Sequence, residues 1–415
     1  MKHIVKFWLF IFLTVTSYTV IAQDKSLHIY LDADRTVYRS SALSIEEGVH
    51  TAFSFVNWEI NGYKIKILPL DHRGNVIRSK RNFMRAFRDD NTLAVVAGIH
   101  SPPLIKNRQF INDNNMLTLV PWAAGSPITR HPSPKNWIFR LSVDDAQAGD
   151  FMALTAKKEQ CQAPLLMLES TPWGDNNLRT ITKGLNDHDK QPVATLRFGF
   201  NLQQEGAEIL VAQAIEAKAD CMLLVANAAE GSLIVNAVAK LSKNNALKII
   251  SHWGITAGGF ERLVPHQARQ KTNLQFIQTC FSFNAQSLSP FAQRVLEKAK
   301  MLYPSDIRTA AQIKSPVGFI HGFDLSKILI ATLQSIDPKD YEDITVLRDK
   351  VRQRLENLTT PVEGLITTYR KPFSPYDPKT SPNGHDALGV NQYCMAHYDQ
   401  DGTIMIKQNA DNSLR

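Results

Sequence analysis

Two short apolar runs, Leu93–Gly98 and Met116–Val120, flank the segment Leu104–Asn114, in which Leu104, Ile105 and Ile111 are spaced to suit a helix. Each run leads into a loop of small or hydroxyl residues. The first is His100-Ser101-Pro102 and the second Pro121-Trp122-Ala123-Ala124-Gly125-Ser126. A strand, a helix and a second strand in that order form a β-α-β unit. Open parallel sheets bind their ligands beyond the carboxyl ends of the strands. The stretch Ala94–Met152 therefore limits the fold to a parallel α/β design and marks a site within it.

The same alternation runs through most of the chain. Leu27–Leu31, Tyr63–Leu70, Leu93–Ala97, Leu117–Val120 and Asn136–Leu141 read as strands of a first cycle. Pro164–Leu168, Pro192–Phe198, Cys221–Ala226, Leu247–Ser251 and Leu274–Phe281 read as a second. Helical patterns separate them, which predicts parallel sheets covered on both faces. Strand-free boundaries near 142–146 and 283–287 split the pattern into two sheets. Phe291–Leu302, Val317–Leu333 and Leu347–Leu358 then read as helices, followed by short strands and a Pro-rich excursion from Lys371 to Asn383. A chain of this length exceeds one ordinary domain. The expected division is a leader at 1–22, a first lobe at 23–143 plus 283–345, and a second at 144–282 plus 346–415.

Lys2 and Lys6 precede an apolar run, Phe7–Ile21, that ends in the small residues of Val20-Ile21-Ala22. This is the anatomy of a secretory signal cleaved near Ala22, and the run is shorter than the ~20 residues a membrane span needs. The expected product is an exported protein that is not embedded in the membrane. Net charge is +8, and +6 without Lys2 and Lys6. Part of it clusters at Arg73, Arg78, Lys80, Arg81, Arg85 and Arg88, which reads as a solvated basic helix face. Nucleic acid is not an expected partner. The four cysteines show no metal spacing. Cys161 and Cys221 each precede a strand, so they are expected at the same end of neighbouring strands, either as a disulfide in an oxidising compartment or as two buried free thiols.

No phosphate loop, dinucleotide fingerprint, nucleophile elbow or zinc-protease motif is present. Asp144-Asp145 reads as a helix cap. No catalytic residue, metal or cofactor is expected, and the chemistry looks like recognition. Ser101, Trp122, Ala123, Ala124 and Ser126 follow strands of the first cycle. Trp173, Asn227, His252 and Trp253 follow strands of the second. Together they outline an apolar, aromatic cleft with a few hydrogen-bonding groups, the usual makeup of a small-molecule site.

With those residues in place the chain resembles the type I periplasmic solute-binding proteins, in the branched-chain amino-acid branch of the ABC importers. The resemblance rests on Gly98…Ser101, Pro121-Trp122-Ala123-Ala124, Phe139-Arg140…Asp145…Gly149, Trp173-Gly174 and Phe323-Asp324, in order over residues 26–369. It implies two Rossmann-like lobes joined by a three-crossing hinge, closing on a ligand that is handed to an ABC permease. In that family a Ser turn and an Ala-Thr turn hold a carboxylate and an acid in the second lobe holds an ammonium group. Here Ala124 stands at the Thr position, and His252 or Trp253 stands where the acid is expected, with Glu230 the only obvious substitute. The expected ligand is therefore amino acid-like, aromatic or anionic, and not a simple aliphatic amino acid. The alternative is a sensor reporting to a membrane kinase or cyclase. An exported enzyme on this fold is the remaining reading.

Overall fold

The computed structural model describes residues 25–407 apart from Pro134, 242–246 and Gly258; the leader segment lies outside them. The first half builds β1 (Ser26–Ala33), α1 (Arg39–Ser54), β2 (Glu59–Ile60), β3 (Tyr63–Asp71), α2 (Val76–Phe87), β4 (Thr92–Ala97), α3 (Ser101–Asp113), β5 (Thr118–Val120) and β6 (Ile138–Arg140). These strands pair in the order β2-β3-β1-β4-β5-β6. Pairing is parallel throughout except for the β2–β3 hairpin. Every residue of β4, β5 and β6 is buried, as strands covered by helices on both faces must be.

The second half contributes α4 (Asp145–Lys158), β7 (Pro164–Glu169), α5 (Pro172–Asn186), β8 (Ala194–Phe198), α6 (Gln204–Glu216), β9 (Cys221–Val225), α7 (Ala228–Leu241), β10 (Lys248–Ser251), α8 (Phe260–Leu263), α9 (His266–Lys271) and β11 (Gln275–Thr279). Next come α10 (Pro290–Leu302), α11 (Pro316–Gln334), α12 (Ile344–Glu356), the hairpin β12 (Val362–Glu363) with β13 (Thr368–Tyr369), and finally β14 (Tyr393–Tyr398) and β15 (Ile404–Ile406). The second sheet runs β15-β14-β11-β10-β9-β7-β8. β14 and β15 add to it antiparallel.

Helices α10 and α11 return to the first sheet. α11 is apolar enough in length and composition to cross a membrane, yet it is buried inside the protein, where a helix apolar on all sides belongs. It crosses α1 at glycines. A Cβ on Gly48 would stand 2.1 Å from the Phe319 carbonyl oxygen, and one on Gly322 would stand 2.6 Å from that of Ile45. Only backbone fits at this crossing.

The tail departs from the expected division. β14 and β15 do join the second sheet, but α12 packs on α11 and β4. The excursion also lies on the first lobe. Arg140 N–H donates to the His385 carbonyl at 2.8 Å and Ala387 N–H to the Arg140 carbonyl at 2.9 Å, so the segment extends β6 by one parallel bridge. The His385 ring stacks on Phe139 at 3.9 Å between centroids. Residues 346–390 thus belong mainly with the first lobe, because β6 would otherwise be an open sheet edge.

Cys161 and Cys221 are bonded, with Cα atoms 5.8 Å apart at the start of the paired strands β7 and β9. Cys280 and Cys394 form a second disulfide, with Cα atoms 5.1 Å apart. It ties the exit of β11, one crossing between lobes, to β14, which follows another.

Candidate functional site

The carboxyl ends of β4 and β5 face those of β7, β9 and β10 across the gap between the lobes. The residues lining the gap are Ile99, His100, Ser101, Pro102, Trp122 and Ala124 from the first lobe, and Glu169, Trp173, Asn227, Trp253 and Gly254 from the second. The cavity left between them is about 10 Å³, near the least that one water requires. A ring-sized solute therefore enters only if the lobes part or the indoles swing aside.

On the first side, His100 N–H bonds back to the Gly98 carbonyl at 3.2 Å. Ile99, at the centre of this tight turn, has φ +78°. A β-branched residue rarely adopts that region, and such strain costs about 1–3 kcal/mol. The turn brings His100 and Ser101 to the cavity at the start of α3. His100 Nε2 meets Asp34 Oδ2 at 3.1 Å. Burial lowers the imidazole's affinity for a proton against that carboxylate's pull. Ser101 Oγ accepts the Gly125 N–H at 3.0 Å, so the two first-lobe loops bind each other.

Behind this side lies a buried charge network. Arg140 donates to the carbonyls of Ala124 and Gly125 at 2.8 and 2.9 Å. It also pairs with Asp144 and Asp386, each at 2.8 Å. Arg130 completes the group on Asp144 at 2.6 Å. Burial alone would raise the Asp144 carboxyl, but Arg140 and Arg130 outweigh it and hold the group below the usual carboxylate range. Asp144 takes the N-cap position of α4 that the sequence implied, but its side chain makes no capping bond, since its oxygens are taken by guanidinium groups. The excursion contributes no residue to the cavity lining and instead braces the Ala124–Gly125 turn through Asp386.

The second side is built differently. α5 begins directly over the end of β7, and a Cβ on Gly174 would lie 1.7 Å from the Glu169 carbonyl oxygen. This close approach is why glycine follows Trp173. Trp173 Nε1 donates to Asp145 Oδ1 at 3.2 Å, and Asn176 Nδ2 to Asp145 Oδ2 at 3.0 Å. Trp122 and Trp253 approach across the gap, with ring centroids 5.9 Å apart.

Glu169 ends β7 and is 1% exposed. Its oxygens accept from Thr171 Oγ1 at 2.9 Å and Asn227 Nδ2 at 2.8 Å. Burial, with the charge of Glu230 adding to it, still pushes the carboxyl up to about 7. Glu230 is 5% exposed, its Oε2 has no hydrogen-bond partner, and burial raises it as well. Tyr38 reaches over from the first lobe; burial and the charges of Glu230 and Glu169 raise its phenol.

Of the residues singled out from sequence, Ser101, Trp122, Ala124, Trp173, Asn227 and Trp253 line the cavity and three do not. Ala123 points away, into the first lobe's other core with Val95 and Val120. Ser126 sits at the rim, where its Oγ accepts from Asn176 across the lobes at 3.3 Å. His252 lies behind Trp173, with its ring centroid 5.2 Å away. Its Nε2 is 3.0 Å from Asp145 Oδ1 but lacks hydrogen-bond geometry. Glu169, which the sequence reading missed, is the lining carboxyl, so the second side does carry an acid. The available signal was a charged residue closing the otherwise apolar strand Leu165-Leu166-Met167-Leu168. Asp324 is a hinge anchor instead of a ligand group. It accepts from the Leu365 and Ile366 N–H groups and from Tyr369 Oη at 2.6, 3.0 and 2.7 Å.

A family model described as periplasmic binding protein matches residues 30–369. No curated protein matches the chain. Among solved structures, the chain is similar to an ABC transporter solute-binding protein from R. palustris in complex with 4-hydroxybenzoate. That match has TM-score 0.74 and 13% identity over 93% of this chain and 96% of that one. It is also similar to the leucine-binding protein LivK from Thermotoga maritima, with TM-score 0.69, 13% identity, and 92% and 98% coverage. A fatty acid ABC transporter substrate-binding protein from Thermomonospora curvata gives TM-score 0.71, 15% identity, and 94% and 93% coverage. At these identities the structural likeness establishes the fold alone.

Proposed function

Because the chain belongs to the periplasmic binding protein family, we propose that it captures a small solute outside the cytoplasm, between its two lobes, and presents it to an ABC importer. The observation that carries this reading is the cavity itself. Indoles and a few polar groups from the strand ends of both lobes converge on it. Such a site binds by hinge closure, because a ligand that touches both lobes favours the closed arrangement over the open one.

The fold matches proteins named for, or bound to, an aromatic acid, fatty acids and leucine, so kinship alone leaves the ligand class open. Export through a leader cleaved near Ala22 is part of the same proposal. Native mass spectrometry of the protein isolated from its own host, paired with small-angle scattering before and after removal of any bound compound, tests it. A co-purifying small molecule whose removal expands the particle is the expected result. Turnover of that molecule would point instead to an enzyme. Capture of the loaded protein by a membrane kinase or cyclase, and not by a permease, would point to the sensor.

A further inference from the structure

Trp122, Trp173 and Trp253 line the cavity together with one carboxyl, Glu169, and among the described lining residues there is no Lys or Arg. Resting on the solute-binding reading, we propose that the cleft takes an organic cation, an amine or quaternary ammonium whose charge is set against Glu169 among the three indoles. Indole rings attract cations through their negative faces, most strongly where water is excluded.

The groups facing this carboxyl leave a positive charge to be supplied. Glu230, close enough to act on Glu169, keeps a buried oxygen without a partner. Tyr38 is neutral, and Thr171 and Asn227 donate hydrogen bonds without charge. His100 is held by Asp34 and burial disfavours its protonation. Behind Trp173, Asp145 accepts from Trp173 Nε1 and Asn176 Nδ2, while His252 Nε2 stands 3.0 Å from it without hydrogen-bond geometry, and neither residue lines the cavity. Two carboxyls in a dry cleft without a counter-ion are costly to ionise. A bound cation would neutralise them.

The first lobe argues against an anion. The guanidinium groups of Arg140 and Arg130 are neutralised by Asp144 and Asp386, and Ser101, which accepts from Gly125 N–H, offers an O–H but no charge. A ligand carboxylate would find hydrogen-bond donors there but no free cation, and a carboxyl would face it. The anionic ligand among those expected from sequence thus lacks local support, and the basic cluster lies elsewhere, on exposed α2.

A cation also displaces a proton. Glu169 is partly protonated near neutrality, so binding should release protons to buffer and strengthen as pH rises through about 7. An anion would do the reverse. The test is calorimetric titration of the mature protein with benzyltrimethylammonium and with benzoate, one ring carrying opposite charges, at pH 6 and pH 8 in buffers of different ionisation enthalpy. The expected result is tighter binding of the cation by about tenfold or more, proton release, and a similar loss in Glu169→Gln. Glu230→Gln, read alongside, should weaken the cation less and covers the case in which the first variant misfolds. Tighter binding of benzoate with proton uptake, or unchanged cation affinity in both variants, overturns the proposal. Failure of the cation to bind at millimolar concentration, while benzoate or another solute contracts the particle in small-angle scattering, overturns the charge assignment and leaves solute binding standing. If no solute of either charge binds and the host-purified protein carries none, the solute-binding reading falls with it.

Discussion

The two sides of the cleft answer their own polar groups to different degrees. In the first lobe the turn at Ala124–Gly125 is held from the front by Ser101 and from behind by Arg140, whose charge is matched by Asp144 and Asp386. In the second lobe Glu230 Oε2 and His252 Nε2 are buried without hydrogen-bond partners, and Glu169 titrates near neutrality. A region that satisfies itself makes a rigid surface, whereas one left short of partners is tuned to what a ligand brings. The first side is built as an anvil and the second as the discriminating face.

The largest effect should come from breaking the first side. Asp386→Ala removes one of two carboxylates paired with fully buried Arg140, and breaking such a pair costs about 3–5 kcal/mol. Denaturant melts should show that loss, with the ligand turn loosened in hydrogen exchange at Ala124–Ser126. A loss under about 1 kcal/mol would mean that the tail merely lies on β6.

The second side should respond to pH instead. Glu169 holds its proton to about pH 7, above its ordinary 4.5. The folded chain keeps that proton where the unfolded chain has released it, so its stabilising share is complete below about pH 4.5 and is lost as pH rises to about 7. Glu169→Gln should abolish this slope and leave the variant more stable than the parent at pH 8 by up to about 3 kcal/mol. Parallel stability curves for the two proteins across that window would show that the carboxyl is not strained by its surroundings.

The smallest effect is expected at Ser101. Ser101→Ala removes the acceptor for Gly125 N–H and should cost about 1 kcal/mol. Its effect on affinity for a cation should stay within a few-fold, since the hydroxyl carries no charge to set against the ligand. A large loss of affinity in calorimetry, with stability unchanged, would reverse the assignment of roles to the two sides.

Much of this architecture was readable from the chain. Apolar runs alternating with helical spacing place the strands of both sheets, and a strand's carboxyl end places a loop. Six of the nine loop residues chosen on that basis line the cavity. Ala123, Ser126 and His252 do not, because the position of a loop is local information but the direction of each side chain depends on what packs against it in three dimensions. Cys161 and Cys221 could be placed near each other in advance, because both precede adjacent strands, and the structure decided for the disulfide over two free thiols. Cys280 and Cys394 could not, since the strand that carries Cys394 returns to the second sheet only after the long detour over the first lobe.

What local sequence determined, then, is the succession of elements, the two sheets and the end of each sheet at which a site lies. These follow from the period of hydrophobic residues, which acts over a few neighbours at a time. Tertiary structure alone decided that Asp386 would reach Arg140 across 246 residues, that Glu169 would close the cavity, and that α12 would side with the first lobe. Each depends on which surfaces remain uncovered once the sheets have formed, and on burial that raises the cost of charge only after the chain has closed around it.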